Sequence, residues 1–180
     1  MYFSKTLVLS FAVSALALPT ALQGKAQKRA GVLSASDYAN YADFQISDGV
    51  AGNALDEVNE KFPIDTSDLA NVDDADLEII KTARETAEAA ETDAGGFNEA
   101  IDAAGEDTEE GEALQVGKIK NKVLKLQLEV LALQIEQAKG EDNAEKLEEE
   151  QTKLNKNIAT DQESAGETSQ SVNFTGTGSD

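Results

Sequence analysis

Val116–Ile135, VGKIKNKVLKLQLEVLALQI, decides the fold. Val116, Ile119, Val123, Leu126, Val130 and Leu133 step by alternating threes and fours, which is the heptad-like seam of a helix packed on a partner. Leu124, Leu128, Leu131 and Ile135 make a second seam on nearly the opposite face. A helix that is apolar on two sides is covered on both, so this stretch predicts the central helix of a bundle, over about 112–139. Gly140 ends it, and Asp142 with Glu145 fits a capping box opening another helix over 143–160. The short connection makes the two an antiparallel hairpin. The second partner turns Ala144, Leu147, Leu154 and Ile158 toward the core, with Gln151 interrupting.

Further upstream, Asp73 or Asp74 can cap a helix over 74–93, whose apolar positions are Leu77, Ile80, Ala83, Ala87 and Ala90. Gly95-Gly96 stops it, and Phe97, Ile101 and Ala104 mark a shorter helix closed by Gly105. Residues 106–111 read as an acidic linker. Tyr38, Tyr41, Phe44, Ala51, Leu55, Val58 and Phe62 recur at helical spacing behind a Ser36 cap, with Gly49 and Gly52 interrupting. Residues 36–62 therefore predict one strained helix or two with a kink, ended by Pro63. Residues 161–180, rich in Ser, Thr, Gly and Gln, predict a disordered tail. The fold class is all-α: a single helical domain of about five helices, 30–160, with that C-terminal hairpin and tail.

The other end carries an address. Leu7–Leu18 is an apolar run behind Lys5, and Ala15-Leu-Ala17 supplies the small-x-small pattern of signal-peptidase cleavage. Twelve residues are too short to span a hydrocarbon core of ~30 Å, so residues 1–17 predict a signal peptide and no membrane span. Residues 18–29 end in Lys28-Arg29, a dibasic kexin-type processing site that starts the mature chain at Ala30. The leader takes away four basic residues and no acid, so the net charge goes from −20 to −24. Such a chain repels nucleic acid and anionic lipid surfaces at long range.

Cysteine, histidine and tryptophan are absent. No disulfide staples this domain, and no His-based triad, thiolate nucleophile or His/Cys zinc site can be built. Calcium loops fail as well: starting at Asp65, Asn71, Asp73 or Asp102, ligands or the turn glycine are missing. Carboxylate pairs at glycosidase spacing arise by accident among 35 acids and point to no sugar cleft. No catalytic, cofactor or metal residue is assigned. Lys118, Lys120, Lys122 and Lys125 form a local basic run, best explained by pairing with acidic neighbours. Asn173-Phe-Thr175 is an N-glycosylation sequon.

Several blocks carry a resemblance. They are Tyr41–Leu55 (YADFQISDGVAGNAL), Glu57–Pro63 (EVNEKFP), Ala83–Phe97 (ARETAEAAETDAGGF) and Gly117–Leu126 (GKIKNKVLKL). Together with the dibasic leader, they resemble filamentous-fungal small secreted proteins of unassigned activity, over about residues 1–160. The resemblance implies a fungal extracellular protein and supplies no catalytic motif. The function expected is a non-enzymatic extracellular interaction or effector-type protein meeting a host or cell-wall protein or surface. The alternative is a secreted carrier or surface-binding protein that holds a lipid or hydrophobic surface on apolar helix faces.

Overall fold

In the computed structural model, residues 31–176 are described. The expected signal peptide with Ala17, and the Lys28-Arg29 site, lie outside them. The architecture is the all-α bundle expected, with five helices of eight or more residues among the described residues. In chain order come a 3-10 turn Ala35–Tyr38, a single turn α1 (Tyr41–Phe44), a two-residue strand β1 (Gly49–Val50) and α2 (Ala54–Lys61). A 3-10 segment Thr66–Asn71 leads to α3 (Asp74–Thr92), α4 (Phe97–Ala104), α5 (Glu109–Ala138), α6 (Ala144–Glu163) and β2 (Thr168–Ser169). Among the described residues no helix is long and apolar enough to cross a membrane.

α5 is the axis, packed by α3, α6, α4 and α2. Both of its seams are occupied: Val123, Leu126, Val130 and Leu133 are buried on one, and Leu124, Leu128, Leu131 and Ile135 on the other. Val116 and Ile119 are half-buried. The second seam also runs further back than its leucines, through Lys120 and Gly117 to Ala113, all buried. α3 answers with Ile80, Ala83, Ala87 and Ala90, whose small side chains let two helices approach closely. Each fully buried Leu, Ile or Val stabilises by roughly 1.5–3 kcal/mol, so this seam is the main source of stability in a chain without disulfides. Ion pairs flank it: Arg84 and Lys146 share Glu129 (3.2 and 2.6 Å), and Lys122 and Lys125 share Glu91 (3.4 and 3.2 Å).

Local chemistry sets the helix ends. Asp73 accepts the Ala75 N–H at 2.9 Å and starts α3 where expected. The 106–111 linker is shorter than expected. Thr108 caps α5 by accepting the Gly111 N–H (3.0 Å) while its hydroxyl donates to the Gly105 carbonyl (2.8 Å). Glu109, Glu110 and Glu112 then lie in the first turn of α5, where the helix dipole favours negative charge. The capping box at Asp142 and Glu145 does not form. Asn143 is the N-cap, and its amide group donates instead to the Leu133 carbonyl of α5 at 2.9 Å. In α6 Leu154 is buried, Leu147 and Ile158 are half-buried, and Ala144 is exposed rather than core-facing.

Two further expectations are corrected. Residues 36–62 are neither one helix nor two with a kink, but turn, α1, strand and α2. Gly49 (φ +91°) and Gly52 (φ +114°) take the left-handed region, and the backbone between them bonds to a distant partner instead of itself. That partner is the second correction: the segment after 160 is an ordered strap through residue 176. α6 continues to Glu163, and β2 pairs antiparallel with β1, with Gly49 opposite Ser169 and Val50 opposite Thr168. The Gln170 N–H donates to the Ala113 carbonyl (3.0 Å), and Phe174 is buried edge-on to Tyr41 at 6.1 Å. Composition favours disorder for such a segment only when it cannot bury enough surface, and Phe174 supplies that burial.

Candidate functional site: a lysine-centred polar cluster under the strap

Tyr41 and the strap cover a polar cluster built on two consecutive residues of α5. Lys120 is 0% exposed. Its ammonium donates to the carbonyls of Asp48 (3.0 Å) and Val50 (3.1 Å), and it pairs with Glu57 of α2 at 2.9 Å. Asn121 accepts from the Tyr41 hydroxyl at 2.9 Å and donates to the Ala87 carbonyl of α3 at 2.8 Å. The Ser169 hydroxyl donates to the Ser47 carbonyl, and the Asp48 carboxylate accepts the Ser171 N–H at 2.9 Å. Loop 45–53 is thus held from α5 below and from the strap above.

Asp161 of α6, 2% exposed, accepts the first N–H of α2, from Ala54, at 3.0 Å. It caps a helix more than a hundred residues away, where Asn53 makes no side-chain cap bond. Residues 32 and 33 are held in the same way. Buried Asp76 accepts the N–H groups of Val32 and Leu33, both at 2.9 Å.

Every donor of Lys120 is committed to an acceptor of its own chain, so the arrangement positions backbone and offers no free nucleophile or base. Sequence periodicity missed these residues because a lysine inside an apolar seam reads as surface. The seam's own register, 113–117–120–124–128, was the signal that places it inside. In the rest of the basic run, Lys122 and Lys125 pair with Glu91 as expected, whereas Lys118 donates to the neutral Asn98 amide oxygen at 2.6 Å. Among the described residues no group of three or more acidic side chains could hold a metal ion.

Burial raises the Tyr41 phenol from 10.0 to about 12, against the lowering effect of its hydroxyl partners. The folded state therefore keeps this proton after an unfolded chain would have lost it. Stability from Tyr41 is complete below about pH 10 and is lost as pH rises from there toward 12. In a spectrophotometric titration the Tyr41 phenolate should appear together with unfolding, and Tyr41→Phe should remove that late phase. Free ionisation of Tyr41 near pH 10 in the folded protein would contradict its burial.

Adjoining the cluster, and sharing Asp48 and Glu57 with it, a groove of about 410 Å³ is lined also by Gln45, Ile46, Glu60 and Lys61. At the α4–α5 corner Asp102, Glu106, Asp107, Glu109, Glu110 and Glu112 are all exposed. Asn173 is exposed at the end of the strap, beside a second groove between α4 and α5.

The class defined by these features is a helical domain closed by a C-terminal strap over an internal lysine. The chain belongs to the domain family of unknown function DUF8454, which matches residues 36–173 and so includes the strap. No curated protein and no solved structure matches it.

Proposed function

We propose that the chain is a secreted, non-enzymatic extracellular protein of fungal type, which presents a rigid acidic surface to a host or cell-wall component. The observation that carries this is the distribution of charge. Every basic side chain from Lys81 to Lys153 is bonded to an oxygen of its own chain, most of them to carboxylates. The acids of the α4–α5 corner face solvent. The field outside the molecule is accordingly negative, and it favours a partner with cationic groups. The leader residues and the resemblance to fungal small secreted proteins support the location.

The test is to produce the full chain in a fungal host and recover it from the medium. After enzymatic removal of N-glycans, its intact mass should correspond to a start at Ala30. The recovered protein should capture a saturable partner from wall or host extract, and that partner should elute as salt is raised. Substituting Glu106, Asp107, Glu109 and Glu110 by their amides should weaken capture without altering the fold. Capture that is indifferent to salt, or uptake of lipid in place of a saturable partner, would overturn this reading and favour a carrier. Both seams of α5, the faces a carrier would use, are filled by the protein's own packing.

A further inference from the structure

We propose that Asn173 carries an N-linked glycan whose first sugar lies in the groove between α4, the start of α5 and the strap. The inference rests on the secreted reading above. The sequon Asn173-Phe174-Thr175 is the only one in the sequence. In the folded chain Asn173 and Thr175 are exposed while Phe174 is buried. The glycan therefore has room on the folded surface, but the transferase reads the sequon before Phe174 docks.

Asn173 itself lines the groove, which has a volume of about 440 Å³. Its lining is of mixed character: Ala100, Ala103, Leu114 and Val172 are apolar, and Glu110 and Gln170 add polar groups. An N-acetylhexosamine has the matching two sides: an apolar ring face and acetyl methyl, and hydroxyls at its edge. A sugar attached at the rim reaches the groove without the entropy cost of free association. In the transfer, Asn173 Nδ2 bonds to the anomeric carbon of a lipid-pyrophosphate-linked oligosaccharide. The carbon–oxygen bond to pyrophosphate breaks, the pyrophosphate leaves with the electron pair, and the amide proton passes to the transferase's base.

The full chain is expressed in a eukaryotic secretory host, and medium and cells are analysed separately by intact mass before and after enzymatic removal of N-glycans. The expected result is secreted protein heavier by a glycan, with that increment lost on deglycosylation and in both Asn173→Gln and Thr175→Ala. Thr175→Ser should retain it. Nuclear Overhauser contacts should join the sugar's acetyl methyl to the Ala103 and Leu114 methyls. Secreted protein of unmodified mass overturns the glycan while leaving secretion standing. A glycan without those contacts overturns its placement. Unmodified protein retained in cells overturns the secreted reading, and the glycan with it.

Discussion

Replacing Lys120 by alanine should destabilise the domain by about 3 kcal/mol and detach the loop that carries β1. Removing one partner of a buried, hydrogen-bonded ion pair typically costs ~3–5 kcal/mol, because the other is left uncompensated. Here the partner Glu57 keeps 35% of its side chain exposed and can rehydrate, which lowers the value toward the bottom of that range. The carbonyls of Asp48 and Val50 lose a charged donor as well, and alanine leaves a cavity where the lysine stem was packed. Lys120→Met separates the two contributions: it fills the space and removes the charge, so it should recover part of the loss. Denaturant unfolding of the three proteins measures both. If alanine and wild type unfold at the same midpoint, the cluster does not hold the loop.

Gly117→Ala is expected to be strongly destabilising, although helix propensity points the other way. Alanine in place of glycine inside an exposed helix adds roughly 1 kcal/mol of stability. At this position a Cβ would collide with the backbone carbonyl of Gln170 in the strap and sit 3.2 Å from the Phe97 ring. Neither neighbour is a flexible side-chain tip: one is backbone, and the other is a fully buried ring. The strap must then move, which breaks the Gln170–Ala113 hydrogen bond and pulls at Phe174. Losing a buried phenylalanine's packing is worth ~3–5 kcal/mol at full truncation, well above the propensity gain. Amide hydrogen exchange should show residues 168–174 losing protection while α3 and the C-terminal half of α5 keep theirs. Unchanged protection in the strap would refute the close approach.

These two residues also mark where the sequence stops being legible. The axial helix, its hairpin with α6, and α3 with its small-residue face follow from periodicity, because each buries a continuous stripe and repeats at helical spacing. Pairing of Lys120, Lys122 and Lys125 with acids was legible from charge alone. What escaped depends on partners far away in the chain. Asp161 caps α2, Asp76 holds Val32 and Leu33, and loop 45–53 follows the strap, and none of these leaves a local pattern. The strap itself was hidden by its composition. Polar residues dominate it, and its order depends on one buried aromatic and a few hydrogen bonds to backbone presented by the rest of the fold. The capping box failed because α6 is capped one residue later, at Asn143, whose side-chain amide is turned to α5 as a donor to the Leu133 carbonyl.

The strap has a kinetic consequence. Ser169 reaches Ser47 across 122 positions, and Phe174 reaches Tyr41 across a still longer stretch. Contacts of such high order form slowly, since chain entropy is lost before they return any stability. The helical hairpin closes over a few residues and can form early. The aromatic cluster at the other end is completed only when Phe174 reaches Tyr41. A chain stopped short of residue 174 is therefore a bundle with an open end.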